Sequence, residues 1–465
     1  MPPTRLLTLV IASALFMEHL DSTVIATSLP AIAADLGVDP ITLKLAFTAY
    51  YVALAVFIPI SGWCADRYGA RRVFRAAVAL FTIASVGCAA ASSLPELIGA
   101  RFLQGMGGAM MVPVGRLVVL RVVPKHEMVA AMAWLSIPAL FAPLMGPPLG
   151  GFITTYYHWR AIFGLNVPIG IVGFLLARRI VPQVFGETER PLDLRGFLLT
   201  GFGLSLVVFG FTLSSRAPGD VPIAAAMLGV GLLLVATYVA HARRVAHPIV
   251  DLSLLRIQTF RLAMLGGVLF RLSIGAIPLL LPLMLQIGFG LSPFASGSLT
   301  FAGAAGALTM KLTAAPILRR FGFRRVLRTN AVISAAMLAA IALFAADTPH
   351  WIVILVLLVG GFFRSLQFTS INALSYADVD RARMSSATSF VAVVQQLSLS
   401  GGVAVAALML EASRSAAGRS DLHSEDFALG FVVIATLAAA SALLFQRLAH
   451  DAGAEVSGHR PANPA

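Results

Sequence analysis

Long apolar runs follow one another along nearly the whole chain. Hydrophobic residues make up 58% of the 465 residues and charged residues only 12%, whereas soluble domains carry about 25% charged residues. A run of 18 or more apolar residues is long enough to cross a bilayer as a helix. The sequence therefore predicts an all-α polytopic membrane protein.

The apolar runs predict fourteen transmembrane helices. The least distinct pair is the seventh and eighth, which are joined by the turn-like segment SSRAPGD at 214–220. The fourteen predicted spans are 6–28, 44–63, 76–93, 97–119, 130–155, 162–180, 194–213, 221–241, 261–285, 294–316, 326–345, 351–375, 388–411 and 427–446.

The distribution of Lys and Arg predicts the orientation of these spans. With a cytoplasmic N-terminus, 24 of the 34 basic residues fall in inside loops or tails, five fall outside and five lie within spans. Cationic loops resist translocation. We therefore expect a multi-pass protein of the cell inner (plasma) membrane with both termini cytoplasmic. This bias accounts for the net charge of +13 without a nucleic-acid partner.

One basic septapeptide occurs twice. RYGARRV (67–73) follows the second predicted helix, and RFGFRRV (320–326) follows the tenth, 253 residues later. The same shift places the first helix on the ninth, which predicts two six-helix halves with two helices inserted between them. The predicted parts are an N-terminal half at 1–185, a linker with the inserted helices at 186–250, a C-terminal half at 251–450, and a disordered cytoplasmic tail at 451–465.

Several motifs resemble signatures of the major facilitator superfamily, whose transporters consist of six-helix halves. GWCADRYGARR (62–72) resembles its loop-2/3 signature, and RFLQGMGGA (101–109) its helix-4 signature. APLMGPPLGG (142–151) is similar to the helix-5 signature of its antiporters, with Ala142 in place of the first Gly. LDSTVIATSLP (20–30) resembles the helix-1 signature of the fourteen-helix drug:proton antiporters (EmrB/QacA type), especially multidrug-resistance exporters of Gram-negative bacteria.

The energy source follows by elimination. The chain contains no G-x-x-x-x-G-K-[ST] phosphate loop, no H-E-x-x-H motif and no Cys/His cluster, so neither ATP hydrolysis nor zinc chemistry is expected. We expect no cofactor and no enzymatic activity. An ion gradient remains, and it requires groups that change charge inside the membrane.

Two acidic residues in the first span are candidates for proton coupling or substrate contact. Glu18 and Asp21 are three residues apart and share a helix face, and an ionisable residue at that depth is costly. Structural pairing with neighbouring helices is the alternative. Asp21 matches the family motif. Arg101 opens the helix-4 motif, and the resemblance links this arginine to proton transfer through a membrane carboxylate, with Gln104 assisting.

Two arginines of the second half complete the predicted cavity, Arg271 and Arg364. The shift by 253 residues places Arg271 on Glu18, so we expect the two to face each other across the cavity. The alternative is that Arg271 pairs locally or lines a water-filled vestibule. The acidic pair would suit cationic compounds and the two arginines anionic ones, and the sequence does not decide between them.

Two further motifs predict gating elements. Asp66 is expected to pair with neighbouring arginines and a facing helix end, although it could also be a solvated loop carboxylate. We call these contacts the gate latch. The shift by 253 residues places Arg319 at the position of Asp66, so the gate latch is expected in one half only. In helix 5, the glycines and prolines are expected to form a bend that seals the two halves, or else a packed kink without directional meaning. The latch residues are Asp66, Arg67, Gly69, Arg71 and Arg72, and the helix-5 residues are Gly146, Pro147, Gly150 and Gly151.

The resemblance implies a proton-coupled secondary transporter that exports small lipophilic compounds by alternating access, as in multidrug efflux. The alternative is a proton-coupled importer of a small metabolite on the same fold. The partners implied are a small-molecule substrate, protons and the lipid bilayer. A periplasmic adaptor is possible for this class, although the sequence does not mark a docking surface for one.

Overall fold

The computed structural model describes residues 4–123, 128–186, 191–213, 221–245, 248–380, 383–419 and 421–459. Within these ranges every regular element is a helix. The predicted turn at 214–220 lies outside the described residues. So do five of the basic residues behind the orientation argument, namely Lys125, Arg190, Arg216, Arg381 and Arg460.

The helices follow the predicted spans closely, and several extend beyond them by one or two turns. Short helical segments occur in the connections, such as a 3-10 turn at Pro40–Leu43 and another at Leu252–Arg256. The α-helices are α1 (Thr4–Leu36), α2 (Lys44–Tyr68), α3 (Ala70–Ala90), α4 (Leu94–Val122), α5 (Met128–Tyr156), α6 (Ala161–Gly164), α7 (Asn166–Ile180), α8 (Leu194–Leu213), α9 (Val221–Ala242), α10 (Gln258–Leu283), α11 (Pro293–Ile341), α12 (His350–Ser375), α13 (Met384–Ala416), α14 (Asp426–Phe445) and α15 (Ala454–Ser457).

Eleven helices of the described part of the chain are long and apolar enough to cross a membrane, or twelve if a bent pair is counted as one span. The bent pair is Pro293–Lys311 and Pro316–Ile341, which meet at 109° within α11 and correspond to the tenth and eleventh predicted spans. The fifth predicted span corresponds to α5. The chain is therefore a multi-pass helical membrane protein, and the total of fourteen spans stays a prediction.

We describe the helix packing in two sets that follow the order of the chain. The first set consists of α1–α7, with α1 against α5, α3 against α4 and α2 against α4. The second set consists of α10–α14, with α11 against α12 and α10 against α13. Contacts of α5 with α11, α2 with α13 and α1 with α10 join the sets. Helices α8 and α9 pack mainly on each other, and α8 also contacts α2 and α13.

Local sequence accounts for how several helices begin. Ser292 precedes α11, and its hydroxyl accepts a hydrogen bond from the Ala295 amide at 3.2 Å. Pro293 occupies the first position of that helix, where its missing N–H costs nothing. Asp39 likewise caps the 3-10 turn between α1 and α2, accepting from the Ile41 amide at 2.8 Å.

Both copies of the septapeptide make a tight helix-to-helix turn around a glycine. Gly69 separates α2 from α3 with φ 87°, and Gly322 interrupts α11 with φ 70°. The two glycines are 253 residues apart, as are the septapeptides that contain them. Residues with a Cβ rarely adopt this left-handed backbone region. The repeat therefore preserves a backbone requirement as well as a charge pattern.

The C-terminal tail, predicted to be disordered, contains the short helix α15 within its described part. The ring of His459 makes a hydrogen bond to the Arg319 carbonyl at 3.0 Å, which places this segment against the second septapeptide. Residues 460–465 lie outside the described residues.

Replacing Gly69 with alanine is expected to destabilise the protein by about 1–2 kcal/mol, the usual cost of a left-handed non-glycine residue. A Cβ at Gly69 would also lie only 2.0 Å from the Gln183 amide nitrogen. Thermal unfolding of the purified protein in detergent would measure the effect. The matched control is Gly62→Ala within α2, where a Cβ meets nothing within 4 Å and helix propensity favours alanine by up to about 1 kcal/mol. Equal unfolding temperatures for the two variants would contradict the assignment.

Candidate transport site

A buried ion pair between α1 and α4 forms the centre of the first helix set. Arg101 Nη1 lies 2.5 Å from Asp21 Oδ2, and both side chains are almost completely buried. The same nitrogen donates to Gln104 Oε1 at 2.5 Å, and Gln104 Nε2 donates to Asp21 Oδ1 at 2.8 Å. The predicted partnership of Arg101 with a membrane carboxylate is thus present, with Gln104 assisting.

Two polar residues that the sequence analysis did not select complete this network. Asn166, at the start of α7, donates to Asp21 Oδ1 at 2.8 Å and to Ser85 Oγ on α3 at 3.2 Å. Ser85 also accepts from Gln104 Nε2 at 2.9 Å. An asparagine within the apolar segment HWRAIFGLNVPIG was the available signal, since a polar side chain at membrane depth needs a partner.

Aromatic rings cover the guanidinium of Arg101. Its central carbon lies 4.4 Å from the centre of the Tyr50 ring and 5.9 Å from that of Phe163. Such cation–π contacts strengthen when the cation is removed from water. The ion pair is therefore enclosed by protein and separated from the central cavity described below.

Glu18 occupies a different environment from Asp21. It is half-buried, and a Cβ at Gly108 of α4 would lie 3.6 Å from its Cγ. Within the described residues it makes no salt bridge, including none with Arg271. Arg271 is completely buried and donates instead to Asn372 Oδ1 at 2.8 Å. The predicted Glu18–Arg271 pair is therefore not formed, and the local pairing given as its alternative is observed.

A cavity of about 170 Å³ lies between the two helix sets. Its walls come from α1, α5, α10, α11 and α12. Arg364 of α12 is the charged residue in its described lining, which otherwise consists of apolar and hydroxyl side chains and glycine. The lining residues are Ser22, Thr23, Ala26, Thr27, Pro147, Ile277, Pro278, Leu281, Pro282, Thr300, Gly303, Ala304, Leu357 and Arg364.

The glycines of the helix-5 motif allow α5 to pack closely against both sets. A Cβ at Gly146 would lie 2.0 Å from Thr23 Oγ1, and one at Gly150 would lie 2.5 Å from the Val24 carbonyl oxygen, both on α1. A Cβ at Gly151 would lie 2.4 Å from the Pro293 carbonyl oxygen at the start of α11. Only glycine permits such approach, so this motif joins the two sets at one end.

Other polar contacts between the sets lie at that same end. Gln286 Nε2 donates to the Thr27 carbonyl at 2.8 Å, and the Phe294 amide donates to Thr155 Oγ1 at 3.0 Å. Arg414 of α13 forms a salt bridge with Asp39 in the α1–α2 connection. We refer to this end of the helices as the Asp39 end and to the opposite one as the Asp66 end.

The loop motif at the Asp66 end is arranged differently from the prediction. Asp66 forms its salt bridge with Arg121 of α4, Nη1 to Oδ1 at 2.8 Å, rather than with Arg71 or Arg72. Arg71 Nε donates to the Val181 carbonyl at 2.5 Å, and the side chains of Arg67 and Arg72 are exposed. The expected neighbours point elsewhere because α3 begins immediately after Gly69 and carries Arg71 towards α7.

The bundle of membrane-spanning helices, the cavity between its two sets and the buried ion pair define a multi-pass membrane transporter. The family model of the Major Facilitator Superfamily matches residues 11–403, and a second match covers 263–464. The chain belongs to this superfamily.

The relatives of this chain are named as multidrug resistance proteins. Proteins named "Putative multidrug resistance protein MdtD" from Pectobacterium carotovorum subsp. carotovorum and Klebsiella pneumoniae subsp. pneumoniae are 36% and 37% identical to it. The alignments cover 95% of both chains in the first case, and 96% of this chain and 94% of the relative in the second. The predicted resemblance to Gram-negative multidrug-resistance exporters is confirmed.

Solved structures show the same fold at low sequence identity. A D-xylose-proton symporter is similar with a TM-score of 0.69 and 14% identity, covering 97% of this chain and 98% of the symporter. The POT family transporter PepTSo is similar with a TM-score of 0.69 and 15% identity, covering 98% of each chain. At this identity the likeness concerns the fold alone.

The ion pair predicts unequal effects of neutralising the two acidic residues of α1. Asp21→Asn would leave the guanidinium of Arg101 buried without its counter-charge, which costs about 3 kcal/mol or more. Glu18→Gln removes a charge without a salt-bridge partner among the described residues and is expected to change stability by less than about 1 kcal/mol. Thermal unfolding of the two purified variants would compare them. A larger loss for Glu18→Gln would contradict the network.

Proposed function

We propose that this protein is a proton-coupled exporter of small lipophilic compounds that works by alternating access. The observation that carries the proposal is the enclosed Asp21–Arg101 pair within the membrane-spanning part of α1 and α4. A carboxylate at this depth is the kind of group through which a proton can enter and leave a transporter. The names of the MdtD relatives support export of drug-like compounds.

Protonation of Asp21 would alter the whole network. The neutral carboxyl group loses its Coulombic attraction to Arg101, and one of its oxygens becomes a donor where it formerly accepted. Gln104 and Asn166 both donate to Oδ1 of this group, and their hydrogen bonds weaken because a neutral carboxyl group is a poorer acceptor than a carboxylate. Because these residues belong to α1, α4 and α7, a proton at one carboxyl group changes how three helices are held together.

We assign fourteen spans in two six-helix halves, with α8 and α9 inserted, and both termini in the cytoplasm. Under this topology the Asp66 end faces the cytoplasm and the Asp39 end faces the periplasm of the inner membrane. The Asp39–Arg414 salt bridge and the close packing at Gly151 support a state closed towards the periplasm. Asp66 pairs with Arg121 within its own set, as expected of a latch that does not bridge the sets in this state.

Proton coupling at Asp21 is tested in everted membrane vesicles. Proton-driven accumulation of a fluorescent dye is expected in wild type and is expected to fall at least about tenfold in Asp21→Asn, since a group that binds the coupled proton is lost. Substrate exchange without a proton gradient should be retained. The double variant Asp21→Asn/Arg101→Gln, which leaves no unpaired charge, separates coupling from misfolding.

The same assay measures the direction of substrate transport. Uptake into everted vesicles reports export, whereas proton-driven uptake only into right-side-out vesicles would establish the importer alternative. Proton-driven accumulation that persists in folded Asp21→Asn protein would refute the coupling role.

The salt bridge at the Asp39 end predicts a gating phenotype. Arg414→Gln is expected to raise the population open at that end about threefold to tenfold, the range for a partly exposed pair. The probe is Ser22→Cys in the cavity, with Cys64 and Cys88 replaced, labelled by a membrane-impermeant maleimide in right-side-out vesicles. Arg419→Gln is the matched control, because Arg419 lies at the same end but pairs with Asp426 inside the second set. Equal labelling of both variants would contradict the gate.

A further inference from the structure

The second helix set contains two arginines without acidic partners among the described residues, one completely buried and one half-buried. Arg271 donates one hydrogen bond, to Asn372, and its Nε and Nη1 atoms have no partner. Arg364 makes neither a hydrogen bond nor a salt bridge to any described residue, and its Nη1 is buried and unpartnered. An uncompensated arginine at membrane depth is costly, so such a residue points to a function.

Arg364 differs from Arg271 in its position relative to the cavity. Arg364 lines the cavity between the two sets, whereas Arg271 does not and its exposed fraction is zero. Glycines leave space around the Arg364 guanidinium. A Cβ at Gly303 would lie 3.3 Å from Nη2, and one at Gly360 would lie 3.5 Å from Nη1. The guanidinium is thus seated between α11 and α12, and Arg364 forms part of the cavity wall.

The remaining polar groups of the cavity leave this guanidinium without an anionic partner. Thr23, Thr27 and Thr300 donate their hydroxyl protons to backbone carbonyls of their own helices, and Ser22 does the same. No carboxylate belongs to the described lining. Asp21 is not part of it, and both of its oxygens already accept hydrogen bonds.

We propose that the cavity binds compounds with an acidic group, such as a carboxylate or sulfonate, whose negative charge pairs with Arg364. The planar guanidinium offers paired donors to such a group. Apolar walls from Pro147, Pro278, Leu281 and Leu357 contact the rest of the molecule. This inference rests on the proposed export function and narrows its substrates to amphiphilic anions, since a cationic drug finds a like charge in the cavity.

Binding to the purified full-length protein tests the charge preference without requiring transport. The probes share one apolar body and differ in charge. They are 2-naphthalenesulfonate (anionic), 2-naphthalenesulfonamide (neutral) and 2-naphthylmethylammonium (cationic). Isothermal titration in detergent is expected to show the sulfonate bound at least about tenfold more tightly than the other two, as a charge-assisted contact provides.

Variants locate the contact. Arg364→Gln is expected to weaken sulfonate binding at least about tenfold while leaving sulfonamide binding within about twofold, and Arg364→Lys should retain part of the preference. Lys311→Gln is the control variant, because Lys311 is another cation of the second set. Its Nζ donates to Thr369 Oγ1 at 2.9 Å, and it does not line the cavity. The Lys311→Gln variant should bind the sulfonate as tightly as wild type does.

The outcomes separate this inference from the proposed function. Equal affinity of wild type for all three probes, or unchanged sulfonate binding in folded Arg364→Gln, overturns anion recognition even if vesicles still export dye. Absence of proton-driven transport in vesicles overturns the export proposal, while selective sulfonate binding lost in Arg364→Gln would still establish the anion site.

Discussion

The buried pair of Asp21 and Arg101 is the interaction on which the first helix set depends. Neither charge is tolerated in hydrocarbon alone, and each has its counter-charge on another helix. Through Gln104, Asn166 and Ser85 the pair connects α1, α3, α4 and α7. The relative positions of these helices are therefore fixed by a polar cluster as well as by apolar packing, and a change of charge within the cluster acts on all of them.

The two helix sets differ in whether their membrane-embedded arginine has an acidic partner. In the first set Arg101 has a carboxylate, one amide and two aromatic rings around it. In the second set Arg364 faces a cavity and has no such partners within the described chain. The first set thus carries a self-contained charge pair, and the second carries a cation without an acidic partner among the described residues. This asymmetry is the basis for proposing that the first set binds the coupled proton and the second set binds the ligand.

Hydropathy and charge predicted most helices and the charged residues within them. Both can be predicted from local sequence, because they depend on the length of an apolar run and on the free-energy cost of burying a charge. The partners of these residues were harder to predict. Asp66 pairs with Arg121 rather than with the adjacent arginines, and Arg271 contacts Asn372 rather than Glu18. Side-chain pairing depends on how each helix is rotated and where its neighbours lie. The shift by 253 residues matched backbone features such as Gly69 and Gly322, but not the contacts of side chains that had changed.

The guanidinium of Arg364 stays protonated at any physiological pH, so its charge is permanent within the membrane-spanning part of α12. Moving one elementary charge through the full field changes the free energy by about 2.3 kcal/mol per 100 mV. Any displacement of α12 within the field is consequently sensitive to the membrane potential when the cavity is empty. A bound anion would cancel that charge, so the loaded and empty transporter would respond differently to voltage.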